Sequence, residues 1–348
     1  AEDGIRDLVR SRGLGDVYKR QQEQALSTRF EVGYGRMFGL LKKQSHLIGV
    51  DLGNDCLKLA QLTNGTEEAM LLAGQYVNRP AEIVAGTARW QRWAIDVMRD
   101  ATANGRFKGR DVVAALPANE VYVDHIRWPK KFDGKIEDAI FSKIKQKLPF
   151  EPIQKNTLIK YIPTEQDNVM VLATERTVID RHLAIYERAG LTINSIGVWP
   201  VALATCYAHF FGRRKTDLDA IVMLLDIQSE CTNMVISRHK NPLYACSVPI
   251  GAKMLKEEPM AGRLVMELTA GRREFLAAYK NAQIERLIFL SGLAVEPDIY
   301  RTIARQLEVQ AQMGDCMAAI TVSDPDRFGL DRRSDKVSWA LSFGLSLS

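Results

Sequence analysis

Apolar and polar positions fall into strand-like order only from His46 onward. "HLIGVDL" and "CLKLAQL" flank a turn at Gly53-Asn54-Asp55, and a second turn at Asn64-Gly65 leads into "AMLLAGQYV". Short apolar runs separated by turn residues predict an antiparallel meander of three strands. Between about 86 and 103 the period becomes helical and places Trp90, Trp93, Ile95 and Met98 in a core. "DVVAALP" follows as a buried strand ended by Pro117.

Residues 121–197 have a rhythm of their own. "VYVDHIR" reads as a strand, and "KIEDAIFSKIKQKL" as a helix with Ile136, Ile140, Ile144 and Leu148 at i+4 spacing. "NTLIKYI" and "NVMVLAT" read as strands, "TVIDRHLAIYERAG" as a helix stopped by Gly190, and "TINSIGV" as a last strand. The order β-α-β-β-α-β is that of a split βαβ unit and predicts an inserted subdomain. A second meander opens at "AIVMLLDIQSECTNMVISRHKNPLYACSVPI" and repeats the first: an apolar strand, an Asp at its end, a turn, two more strands. Two such copies predict two related lobes facing one another. Helices at about 253–258 and 262–281, "IERLIFLSGLA" as strand and turn, "DIYRTIARQLE" as helix and "VSWALSFGLSLS" as a short apolar helix complete the chain.

Composition narrows the function classes. Of 348 residues, 46% are hydrophobic and 26% charged, enough to bury a sizeable core in two lobes. The formal net charge is +5, but residues 1–43 hold nine Lys/Arg against six Asp/Glu, so the rest of the chain is nearly balanced. The charge therefore gives no argument for a nucleic-acid partner. The longest unbroken apolar runs, such as "AIVMLL" at 220–225, fall far short of the ~20 residues of a membrane-spanning helix. Five cysteines, Cys56, Cys206, Cys231, Cys246 and Cys316, form no C-x-x-C pair and read as reduced thiols of a cytosolic protein. His46, His125, His182, His209 and His239 match no metalloprotease motif, and neither a nucleophile elbow nor a G-x-x-x-x-G-K-[ST] loop occurs. No catalytic triad presents itself. Lys135, Lys143, Lys145 and Lys147 read as a solvated helix face, and "MFGLL" with Lys42-Lys43 is too short for membrane attachment alone. Residues 1–36 have no periodic apolar face and read as a non-native or disordered leader, with Met37 as the native start.

The first turn is where chemistry can be sought. In "VDLGNDCLK", Gly53 permits a hairpin turn with φ > 0 whose N–H groups, with those of Asn54, can point at a phosphate. Asp51 at the strand end can order a metal-bound water, and Lys58 can neutralise phosphate charge as the only nearby cation in either turn. The second turn, at Asp226-Ile227-Gln228, and the Ser291-Gly292 turn supply the counterparts.

In this order, together with "MFGLLKK", "LPFEPIQKNTLIKYIP", "VMVLATERTVIDRHLAIYERAGLTINSIGVWPVAL", "SVPIGAKML" and the closing "FGLSLS", the chain resembles the PilM family of type IV pilus assembly proteins over about residues 37–348. The resemblance implies an α/β fold of the actin-like ATPase (ribonuclease H-like) type, bilobed, with an inserted split βαβ subdomain. It implies a first lobe over 37–117, the insertion over 118–195, a connecting helix in 196–220, a second lobe over 221–335 and a C-terminal helix in 336–348 returning to the first lobe. It further implies ATP and Mg as ligands of Asp51, Gly53, Asn54, Lys58, Asp226, Ser291 and Gly292, with Asp51 serving the metal. The implied partner is the cytoplasmic N-terminal segment of a PilN-type inner-membrane protein, with cytoplasmic pilus ATPases as further partners. That places the protein at the inner face of the membrane, held there through its partners. Tyr122, Ile126 and Tyr161 are the expected walls of a groove between the insertion and the first meander. The family carries Gly where this chain has Gln228 and Leu293. A side chain in a left-handed turn costs about 1–2 kcal/mol and occupies phosphate space. Asp55 repels phosphate as well, so the expectation is a degraded site without hydrolysis. An ATP-dependent enzyme of the same fold, such as a sugar kinase, and the cytoplasmic part of a GspL-type secretion platform protein stand as alternatives.

Overall fold

A six-stranded and a five-stranded sheet repeat one arrangement. The computed structural model describes residues 47–63, 69–129, 135–291, 295–322 and 337–348, so the Asn64-Gly65 turn and Gly292-Leu293 lie outside the described residues. In the first sheet β1 (Ile48–Leu52), β2 (Cys56–Leu62) and β3 (Met70–Asn78) form the antiparallel meander. β4 (Asp111–Ala115) and then β8 (Thr192–Gly197) add in parallel on the other side of β1, and the two-residue β14 (Thr321–Val322) lies beside β3. The second sheet has β9 (Ile221–Ile227), β10 (Thr232–Arg238) and β11 (Asn241–Val248) as its meander, with β12 (Ile284–Phe289) and β13 (Ala311–Met313) parallel beside β9. Apart from the edge strand β14, each sheet thus runs third, second, first, fourth, fifth strand in order of appearance.

Side-chain alternation decides what covers each face. In β1 Ile48, Val50 and Leu52 point to a core with Trp90 and Met98 of α1 (Ala88–Ala103) and Ile185 and Tyr186 of α3 (Arg176–Arg188). Met223 and Leu225 of β9 face Leu264, Leu268 and Phe275 of α5 (Glu258–Ala278) and Ile303 of α6 (Pro297–Leu307), while Val222 and Leu224 face the other way. A strand buried on both faces needs an unbroken apolar run, and "AIVMLL" supplies it.

Between the two sheets lie α4 (Trp199–Phe210), the four-residue α7 (Cys316–Ala319) and α8 (Ala340–Ser346), in a core shared by both. α4 is apolar around most of its circumference, as a helix covered on all sides must be. Its contact with α8 is backbone to backbone: a Cβ on Gly344 would stand 1.9 Å from the Ala202 carbonyl oxygen, and one on Gly49 of β1 would stand 2.0 Å from that of Ser342. Ser346 closes the arrangement, accepting the Leu62 N–H at 3.0 Å and donating to the Leu47 carbonyl at 2.8 Å. Burial of Trp339, Phe343 and Leu345 adds roughly 1.5–3 kcal/mol for each side chain.

The third sheet, in the order β5-β7-β6, consists of β5 (Tyr122–Arg127), β7 (Asn168–Glu175) and β6 (Thr157–Pro163), all antiparallel. One helix, α2 (Ile136–Ile144), covers it through Ile140 and Ile144. The β-α-β-β-α-β order is present over 122–197, but its last helix and strand pack with the six-stranded sheet. Ile185 and Tyr186 of α3 find their apolar partners on α1 and β1, and β8 pairs with β4. The hairpin between β6 and β7 hooks onto the five-stranded sheet's side of the molecule. Arg238 holds Glu165 at 2.7 and 3.2 Å, Thr164 bonds Tyr279 at 2.6 Å, and Gln166 accepts the Lys280 N–H at 3.0 Å.

Candidate functional site

Asp51 and Lys58 are register partners on β1 and β2, and the lysine Nζ lies 2.7 Å from Asp51 Oδ2. The ammonium also donates to the Ser338 carbonyl at 2.9 Å. Its approach to Oδ2 is that of a close ion pair without the direction of a good hydrogen bond. The residues are 5% and 4% exposed, and Asp226, at the end of β9, is fully buried. Burial pulls the Lys58 pKa down, but Asp51, with help from Cys56 and Asp226, more than reverses this and raises it above the ordinary lysine value. Burial pushes the Asp226 carboxyl up, against the opposing pull of Lys58, Ser338 and Gln228. One Asp226 oxygen takes the Gln228 Nε2 hydrogen bond at 2.9 Å.

The two turns are copies. In the first, the Gly53 N–H donates to the Cys56 carbonyl at 2.9 Å; in the second, the Gln228 N–H donates to the Cys231 carbonyl at 2.8 Å. Asp51-Leu52-Gly53-Asn54-Asp55-Cys56 and Asp226-Ile227-Gln228-Ser229-Glu230-Cys231 therefore match residue for residue in position, with an Asp, an apolar residue, an acid and a Cys at equal places. Where β2 has Lys58, β10 has buried Asn233 in register with Asp226.

Several expectations change here. Gly53 and Gln228 both lie outside the left-handed region, so Gln228 carries no turn strain. Its side chain fits because the turn closes through a backbone bond that any residue can make. The Gly53 and Gln228 N–H groups meet carbonyls of their own turns instead of pointing at an anion. Lys58 is not the only cation of the turns: Lys253 Nζ lies 3.2 Å from Glu230 and 3.9 Å from Asp55. Ser291 is fully buried, its hydroxyl accepting the Ile227 N–H at 2.6 Å, and so it braces β9. The Asn54 carbonyl takes the Arg79 Nε–H. Tyr122, Ile126 and Tyr161 all pack on the α2 side of the three-stranded sheet, half-buried around Ile140 and Ile144. The opposite face, with Val123, Ile162, Met170 and Leu172, joins the core between the large sheets, because a period of two sends alternate residues to opposite faces.

Sequence reasoning missed Lys253 and Ser338. Lys253 had a signal in "PIGAKML": a Cβ on Gly251 would stand 2.5 Å from the Glu230 and Cys231 nitrogens, so that glycine marks a close approach to the second turn. Ser338 had none, since nothing local ties it to Lys58.

No protein-family profile matches the chain, and no curated protein matches it in sequence. Among solved structures, a chain of the PilM-PilN type IV pilus biogenesis complex superposes with a TM-score of 0.70 at 20% identity, over 87% of this chain and 98% of that one. The fold is the actin-like ATPase fold. Two further likenesses are the ethanolamine utilization protein EutJ from Carboxydothermus hydrogenoformans (TM-score 0.48, 11% identity, 95% of this chain and 99% of that one) and the cytoplasmic domain of EpsL, an inner membrane component of the type II secretion system of Vibrio cholerae (TM-score 0.45, 11% identity, 76% and 95%). At these scores they support no functional argument.

The fold suggests a nucleotide between the two turns, where several of the resident groups already partner one another. Lys58 and Asp51 pair with each other, the Gly53 and Gln228 N–H groups bond carbonyls of their own turns, and each turn tip carries an acid, Asp55 and Glu230. Among the described residues no three His, Cys, Asp or Glu side chains converge to hold a metal ion.

Proposed function

We propose that this protein is a PilM-like scaffold of a type IV pilus or related secretion platform, which binds the N-terminal cytoplasmic segment of a PilN-type membrane protein and does not hydrolyse ATP. The observation that carries the reading is the likeness to the PilM-PilN complex, which extends over nearly the whole of that chain. Among the described residues no helix is long and apolar enough to cross a membrane, so a membrane partner would supply the attachment. Cytoplasmic pilus ATPases would join the assembly through the same platform.

The internal chemistry agrees with a scaffold. The Asp51–Lys58 pair within the first meander is neutralised internally without a ligand, whereas an enzyme such as a sugar kinase needs turn N–H groups free to meet phosphate. For the partner we propose the half-covered face of the three-stranded sheet. There Tyr122, Ile126 and Tyr161, with Trp128, surround a core that a single nine-residue helix covers. An extended apolar peptide would complete that cover and pair with a sheet edge. Isothermal titration of the chain with a PilN-type N-terminal peptide tests this: saturable binding that Tyr161→Ala weakens is expected, and no binding would remove the scaffold function.

A further inference from the structure

Lys253 stands where the two copied turns meet. Its backbone is fixed to the second turn: the Ala252 N–H donates to the Gln228 carbonyl at 2.8 Å, and the Lys253 N–H to that of Ser229 at 3.0 Å. Thr232 Oγ1 donates to the Ile250 carbonyl at 2.7 Å from the strand beneath, and only a glycine at 251 allows this approach. From that base the side chain reaches Glu230 at the tip of its own turn and Asp55 at the tip of the opposite one. Without the cation, two carboxylates at equivalent positions of facing hairpins would repel across the opening. Beneath them lie the sealed Asp51, Lys58 and Asp226.

We propose that Lys253 is a latch holding the cleft between the two turns shut, a contact that must open before any ligand reaches Asp51 and Asp226. The inference concerns the cleft alone and stands whether or not the scaffold reading holds. The Lys253 side chain is 58% exposed, so the latch is screened by salt and releases without disturbing a core.

Cys56 and Cys231, one at the end of each turn, report its state. Burial pushes both thiols up to about 12, so the closed cleft keeps them slow toward alkylating reagents. The test is the rate of N-ethylmaleimide labelling of each cysteine, resolved by peptide mass spectrometry on the full chain with no partner present. Lys253→Glu should raise the Cys56 and Cys231 rates several-fold and leave buried Cys206 unchanged, while Lys253→Arg stays at the unmutated rate. In the unmutated chain, salt at about 1 M should accelerate the same two sites. Unchanged Cys56 and Cys231 rates in Lys253→Glu would overturn the proposal. If Cys206 also accelerates, the reciprocal exchange Asp55→Lys with Lys253→Asp, which restores one opposite-charge pair across the opening, decides. Slow labelling restored supports the latch, and fast labelling retained overturns it.

Discussion

Replacing Lys58 by Met removes one charge from a pair that water does not reach. At 2.7 Å and an effective dielectric constant of about 20, the Asp51–Lys58 attraction is about 6 kcal/mol, most of it offset by the desolvation of the two ions. The pair therefore contributes little net stability, but its rupture is costly. Asp51 would be left buried and uncompensated, Asp226 would lose its nearest cation, and the Ser338 carbonyl would lose its donor. Such a loss costs about 3–5 kcal/mol, or roughly 4–8 °C in melting temperature for a chain of this size. Trp199 and Trp339 are almost fully buried beside the cleft, so urea unfolding followed by tryptophan fluorescence, without nucleotide, measures it. The double replacement Lys58→Met with Asp51→Asn should recover most of the loss, since it removes the orphaned charge as well. A loss below about 1 kcal/mol for Lys58→Met would place the pair with exposed ion pairs and would refute the argument that the site is sealed.

Gly344→Ala should destabilise by at least about 1–3 kcal/mol, because its Cβ would meet the Ala202 backbone, whereas Gly262→Ala, in open space on α5, should gain up to about 1 kcal/mol; melts in the reverse order would contradict the packing of α8 on α4. His125 accepts the Ala245 N–H at 3.1 Å and stacks on Tyr244, and burial, partly opposed by Asp124, lowers its pKa to about 4. The folded chain then holds fewer protons than the unfolded one between pH of about 6.5 and about 4. Its contribution is present above that window and lost as pH falls through it, so urea midpoints of His125→Gln should lose that part of the slope, and an identical slope would contradict the assignment. Gln228→Gly should not create ATP turnover, since the obstacle is the engaged turn and not the side chain; phosphate release near ~1 s⁻¹ would show otherwise.

The meanders and their helices were legible because each rests on local periodicity. The repeat of Asp, turn and strand was legible too, since both copies depend on neighbouring residues. What the sequence concealed were long-range choices. α3 and β8 obey the same local rules wherever they pack, and only the apolar partners on α1 and β1 draw them to the six-stranded sheet. Tyr122, Ile126 and Tyr161 could have faced either way until the strand register assigned one side to α2. In the cleft, Asp51, Lys58 and Asp226 were recognised as charged strand-end residues, but their state was not. That state depends on Ser338 arriving from the far end of the chain and on Lys253 entering from beyond the second meander.

The central claim is that a membrane protein's N-terminal peptide docks on the three-stranded sheet of a protein that works without ATP hydrolysis. Photo-crosslinking of a PilN-type N-terminal peptide to the purified chain, with the sites mapped by mass spectrometry, tests it most directly. Crosslinks should concentrate within residues 122–161, around Tyr122, Ile126 and Tyr161, and should need no nucleotide. Crosslinks confined to residues 221–335, or none at all, would contradict it.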